Sequence, residues 1–182
     1  LLHRYFEKVP FAQLAEKENI EKLCQDLNLA EEQFAAVQQW FAQILSTPIL
    51  PNNDLILAQI NEKQCLKELA FYLNITSHFD VAGFNRALAT LHHLPSEPLQ
   101  FEDIQGMVRG TMDLVFCHQD KYYLLDYKSN FLGEVLKDYD QAALKKAMLE
   151  HHYDWQYLLY VVALHRYLKT RLPHYDYNRD FG

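Results

Sequence analysis

Three polar residues set among apolar neighbours carry the chemistry this sequence offers: Asp113 in Thr111-Met112-Asp113-Leu114-Val115, and Asp126 and Lys128 in Leu124-Leu125-Asp126-Tyr127-Lys128. Both runs have strand character, and the polar stretch His118-Gln119-Asp120-Lys121 between them reads as a four-residue hairpin loop. Alternation along a strand puts Asp126 and Lys128 on one face. If Cys117 pairs with Tyr122 across the loop, the same register sets Asp113 opposite Asp126. Directly opposed residues have Cβ atoms roughly 4.5–5.5 Å apart, where like charges repel. Apolar neighbours on both strands partly dehydrate the pair, so a compensating cation is called for. Magnesium suits it, being hard, oxygen-seeking and commonly held by one or two carboxylates with water and phosphate oxygens. Lys128 could then orient or help deprotonate a water, or stabilise a pentavalent phosphate. Spacing alone is equally compatible with an ordinary surface ion pair on an exposed sheet face, with Asp113 near a turn.

The elements that must position these residues are legible in outline. Residues 1 to about 50 show helical spacing of Phe11, Leu14, Ile20, Leu23, Leu27, Phe34, Val37, Phe41 and Leu45, ended by Pro48 and Pro51-Asn52-Asn53. Leu66 to Ile75 reads as a strand, and Phe79 to Leu94 as a helix with Asp80 as its N-cap. Pro95 and Pro98 mark a loop. The strands Arg109 to Cys117 and Tyr122 to Lys128 follow. A helical tract then runs from about Tyr139 to Leu172, interrupted near His151-His152 and stopped by Pro173. Helices around a small mixed sheet give an α/β or α+β domain.

Composition narrows the function. The chain has 182 residues, half of them apolar, enough for one packed domain. Its net charge of −7 argues against a general DNA binder, so any DNA contact is a local patch, is bridged by metal, or is delivered by a partner. Cys24, Cys65 and Cys117 are far apart and odd in number, which speaks against a disulfide framework or zinc site and for a reducing cytoplasm. No apolar run spans a bilayer, and no phosphate-binding Walker glycine loop is present.

The stretch Gly106-Met107-Val108-Arg109-Gly110-Thr111-Met112-Asp113-Leu114-Val115-Phe116, followed by Tyr122-Tyr123-Leu124-Leu125-Asp126-Tyr127-Lys128-Ser129-Asn130, resembles the nuclease motif of the RecB family, within the restriction-endonuclease-like nucleases. Three further pieces resemble it as well. These are Glu68-Leu69-Ala70-Phe71-Tyr72-Leu73, Tyr153-Asp154-Trp155-Gln156-Tyr157-Leu158-Leu159-Tyr160, and the opening Leu2-His3-Arg4-Tyr5-Phe6-Glu7. The resemblance implies a restriction-endonuclease-like core, a small mixed sheet with a catalytic hairpin flanked by helices. It implies that His3, Asp113, Asp126 and the main-chain carbonyl of Tyr127 bind Mg²⁺, and that Lys128 is the catalytic lysine. Glu68 matches an acid near the family's site, and Gln156 and Tyr160, four apart on one helix face, contact DNA or position the hairpin.

By the same resemblance residues 1–182 form a single nuclease domain, with 1–50 its helical N-terminal part and 66–182 its core. It would be a piece of a larger subunit, entered mid-motif at Leu1 and truncated after Gly182. The expected substrate is single-stranded DNA from unwound duplex, cut during double-strand break repair and recombination. The expected partners are RecC- and RecD-type subunits and RecA. The alternative is a silent DNA- or protein-binding scaffold of the same fold. A stand-alone relative with a four-cysteine iron–sulfur cluster is excluded by three cysteines.

Other features have plain readings. His92-His93 and His151-His152 point apart and suit surface or cap positions better than metal binding. Without the resemblance, His3 with Glu7 is a surface i,i+4 pair. The tyrosines from Tyr153 to Tyr167 suit core packing, with base stacking as the alternative. Lys145-Lys146, Lys169 and Arg171 suit a solvated face, with phosphate tracking as the alternative.

Overall fold

The computed structural model describes residues 2–50, 53–75, 80–92 and 106–182. The expected turn at Pro51-Asn52, the loop at Pro95 and Pro98, and Phe79 lie outside these. The fold is mixed α/β and divides into two compact units. The first comprises residues up to Leu69 together with Asp113–Tyr127 and Gly182. The second comprises Ala70–Met112 and Lys128–Phe181.

The first unit is built on α1 (Leu2–Lys8), α2 (Lys17–Asp26) and α3 (Phe34–Ser46). Their apolar residues recur at three- and four-residue intervals, so each helix buries one stripe. Tyr5, Phe6, Phe11, Leu14, Ile20, Leu23, Phe41 and Leu45 meet in one core with Leu114 and Phe116 of the hairpin. Burying each large side chain contributes about 1.5–3 kcal/mol. Leu27, expected in this stripe, is 36% exposed, because the chain turns away there. Asn28 takes a left-handed conformation (φ 55°) and Leu29 N–H donates to Cys24 O at 2.9 Å. That six-to-one bond closes α2 in the manner of a Schellman motif.

Pro48 does not simply end the helical region. It opens β1 (Pro48–Leu50), which pairs antiparallel with β2 (Asn53–Ile56). Strands this short, beside two prolines, leave no alternation to read.

β3 (Cys65–Ile75), β4 (Gly106–His118) and β5 (Lys121–Leu125) form the second sheet, in that order. β4 is the central strand, and Met112 to Phe116 are buried on both of its faces. β4 and β5 pair antiparallel with Leu114 opposite Leu125 and Cys117 opposite Tyr122, the register expected from sequence. Two expectations are corrected. His118 pairs with Lys121, so the loop is two residues long rather than four. Gln119 (φ 50°) and Asp120 (φ 61°) both take left-handed conformations, as a type I′ turn requires. The ladder stops at Leu114–Leu125, and Asp126, Tyr127 and Lys128 lie beyond β5. Strand alternation therefore does not place Asp126 and Lys128.

The second unit contains α4 (Val81–His92), α5 (Gln141–Glu150), α6 (Tyr153–Arg171) and the short α7 (Tyr177–Asp180). Asp80 caps α4 by accepting from Gly83 N–H at 2.7 Å, as its position in the sequence predicts. Asp140 caps α5 through Ala143 N–H at 2.9 Å. Each such cap contributes about 1 kcal/mol. His152, left-handed at φ 54°, separates α5 from α6 where the sequence predicts an interruption, and α6 ends before Pro173. α5 and α4 both pack on α6. No helix among the described residues is long and apolar enough to cross a membrane.

Because neither Gln119 nor Asp120 is a residue that favours positive φ as glycine does, replacing the pair by Asn-Gly is expected to stabilise the protein by about 1 kcal/mol. Chemical denaturation measures this, and a lower midpoint would show that the turn is not of this type.

Candidate active site

In the first unit, Asp113 sits in the doubly buried stretch of β4, its side chain only 8% exposed. A carboxylate cannot be buried there without partners, and both of its oxygens have one. Oδ2 accepts from the backbone N–H of Tyr127 at 2.6 Å. Oδ1 lies 3.1 Å from Nδ1 of His3. The first contact explains why β5 ends early: the Asp113 side chain takes the N–H that a continued ladder would have used. The Tyr127 ring stacks on Phe6, with centroids 4.6 Å apart, and meets His3 edge-on at 6.0 Å. His3 and Phe6 are three apart on α1, so one helix face delivers both the imidazole and the ring beneath it. Burial, then the charge of Asp113, pushes the Tyr127 phenol far above its ordinary range.

Glu68 completes the group. One nitrogen of His3 and one carboxylate oxygen each of Glu68 and Asp113 all lie within 4.8 Å of one another. Burial, then repulsion from Asp113, raises the Glu68 pKa, with His3 opposing. Glu68 also has φ 53° within β3, a left-handed conformation that costs a non-glycine residue of order 1–3 kcal/mol. The neighbouring Lys67 helps hold the strand here: its Nζ donates to Val9 O at 3.0 Å and to Glu62 Oε1 at 3.1 Å, and lies over the Phe11 ring. One imidazole nitrogen and two carboxylates, one buried and one with a raised pKa, fit a divalent cation that takes oxygen and nitrogen ligands.

Asp126 lies beyond the end of β5 and is not part of this three-residue group. Glu68, which sequence reasoning left without a definite role, is part of it. The signals for it were its acidic type in a strand-like run and its match to an acid near the site of the RecB family.

The second unit holds Lys128, whose Nζ donates to Gln156 Oε1 at 2.7 Å and lies 4.1 Å from the centre of the Tyr153 ring. Gln156 Nε2 in turn donates to Tyr160 Oη at 2.7 Å. The Tyr160 ring packs edge-on against Phe71 at 5.4 Å. Phe71 lies under Gly110, where an added Cβ would come 2.5 Å from the ring. The glycine of the Arg109-Gly110 pair thus leaves room for Phe71, which braces the helix residues that hold the lysine. Tyr153 Oη donates to Asn130 Oδ1 at 2.9 Å, fixing the ring beside Lys128.

A mixed α/β fold with this acidic hairpin is compatible with a restriction-endonuclease-like core. No family model matches the chain. It is 59% identical over 181 residues to RecBCD enzyme subunit RecB of Haemophilus influenzae, a match covering all of the chain. It is 39% identical over 185 residues to the RecB subunit of Escherichia coli, again across the whole chain. It is 30% identical over 166 residues, 91% of the chain, to that of Borreliella burgdorferi. The chain spans 15% of the length of the first two relatives. It therefore belongs to the RecB family, homologous along its entire length to a segment of those subunits.

Two substitutions probe these supports. Glu68→Gly removes left-handed strain of about 1 kcal/mol and a repelling carboxylate. The metal-free variant is expected to melt at the same temperature as the parent or higher, while the rise in Tm on adding a divalent cation is lost. A metal-free Tm lower by several degrees would contradict the strain. Gly110→Ala is expected to destabilise by about 1–3 kcal/mol through the Phe71 ring, and Phe71→Leu in the same chain to recover part of it. Strict additivity of the two in denaturation would show that the methyl meets something else.

Proposed function

We propose that this chain is the nuclease domain of a RecB-type subunit, a Mg²⁺-dependent phosphodiesterase acting on single-stranded DNA. The observation that carries the reading is the convergence of His3, Glu68 and Asp113 on one small volume, in a chain homologous throughout to RecB. His3, Asp113 and Asp126, with Glu68 and the Tyr127 main-chain carbonyl, are the proposed metal ligands. Bound there, the cation supplies positive charge against the phosphate and the departing 3′ oxygen.

The chain's own groups have separate tasks. Asp113 holds Tyr127 N–H and so fixes the backbone next to Asp126. Lys128 lies two residues beyond Asp126. It orients the attacking water and stabilises the negative charge that grows on the phosphate. Water attacks phosphorus in line and the bond to the 3′ oxygen breaks, leaving a 5′-phosphate and a 3′-hydroxyl. Gln156 and the Tyr153 ring restrict the Lys128 ammonium to one position, which lowers the entropy lost on reaching the transition state. RecC- and RecD-type subunits are the proposed partners, consistent with the RecBCD name borne by the relatives. They would deliver unwound strands to a domain whose net charge is −7.

Cleavage of an end-labelled single strand, followed in Mg²⁺, Ca²⁺ and EDTA, tests the proposal. Cleavage is expected in Mg²⁺ alone, with Lys128→Ala and Asp126→Ala each slower by roughly 10²–10⁴-fold. Equal rates for parent and Asp126→Ala would sink the mechanism. DNA binding with no cleavage under any condition would favour a silent scaffold.

A further inference from the structure

The second unit contains a pocket of about 640 Å³, within the usual range of small-ligand sites. One wall is α5, which presents Gln141, Leu144, Lys145 and Met148 to it. Their spacing of three, four and seven residues makes one helix face. Leu144 and Met148 are 40% and 38% exposed, so this apolar stripe is incompletely covered. Tyr139, Asn130, Lys128 and Tyr153 also line the pocket.

The chemistry of the lining selects an occupant. Among the described residues it is lined by two lysines and no carboxylate, in a chain of net charge −7, a lining that suits an anionic group. An apolar peptide would have no use for that pairing of cations and amides. Tyr139 offers an aromatic face, and its hydroxyl is anchored by accepting from Leu132 N–H at 3.3 Å. Aromatic rings and thioethers both pack well on a flat π-system. Asn130 gives its oxygen to Tyr153, which turns its amide N–H groups into donors for a base edge. The side-chain amide of Gln141 adds a second such group.

We propose that this pocket is a nucleotide subsite that takes one unpaired base of the substrate strand. The base lies between the Tyr139 ring and Met148, with its flanking phosphate beside Lys145. The inference rests on the nuclease reading for the identity of the strand, because Lys128 is shared between the two. Duplex DNA cannot present a base in this way, so an occupied subsite would favour single strands.

The test uses the full chain and a single-stranded oligonucleotide carrying one 5-iodouracil, irradiated in EDTA, with the adducts mapped by peptide mass spectrometry. Adducts are expected on Tyr139 or Met148. Met148→Trp, which fills the pocket, and Leu144→Glu, which opposes the phosphate, are each expected to lower the yield about tenfold, the scale of one base–aromatic stack. Both positions are partly exposed, and an unchanged melting temperature shows that the fold persists. Adducts wholly outside residues 130–153, or full yield in both variants, would overturn the subsite. Cleavage measured in parallel separates the two readings. Mg²⁺-dependent cutting with adducts elsewhere removes the subsite and leaves the nuclease. Adducts on Tyr139 without any cutting keep the subsite and remove the nuclease.

Discussion

A carboxylate buried in a central strand must be answered on every side, and the first unit is organised around that requirement. Asp113 is placed between Met112 and Leu114, both fully buried, where an uncompensated charge would cost several kcal/mol. One oxygen is satisfied by a main-chain N–H and the other by an imidazole. The first contact ends the hairpin ladder and redirects the chain at Asp126. The second requires α1 to be docked with His3 beside Asp113, which the Phe6, Tyr5 and Phe41 cluster secures. Glu68, strained in its backbone and repelled by Asp113, adds a demand that the polypeptide alone does not meet. A divalent cation, as proposed for this cluster, would meet it and would link stability to chemistry in one residue.

The second unit solves a different problem, that of holding a flexible ammonium. A lysine loses much side-chain entropy when fixed. Here the restriction is distributed over a hydrogen bond from Lys128 to Gln156, a ring face at Tyr153, and a packed sequence running through Tyr160 and Phe71 to Gly110. Residues far apart in sequence become one support, and the absence of a side chain at Gly110 matters as much as the presence of one at Phe71.

Much of this was legible beforehand, and what was not has physical causes. The hairpin register could be read because alternation and apolar runs fix it. The turn length could not, since Gln119 and Asp120 lack the glycine or asparagine that marks a two-residue loop. The end of β5 depends on a side chain from the neighbouring strand capturing Tyr127 N–H, a tertiary event with no local trace. The left-handed backbone of Glu68 is equally silent, because nothing about a glutamate in an apolar strand announces it. Resemblance of the motifs supplied His3, for which spacing alone suggests only a pair with Glu7. The break at His151-His152 was visible as a composition change, whereas the hairpin of β1 and β2 was too short to show a period.

The contact between His3 and Asp113 joins residues 110 positions apart, whereas the hairpin bearing Asp113 closes across a two-residue turn. Loop-closure entropy makes the near contacts cheap and the distant one costly. A chain emerging from synthesis can thus form its hairpin while the amino-terminal helix is still undocked, and until that helix arrives the imidazole is missing from the cluster. The donor set is complete only in a molecule whose first unit has finished folding.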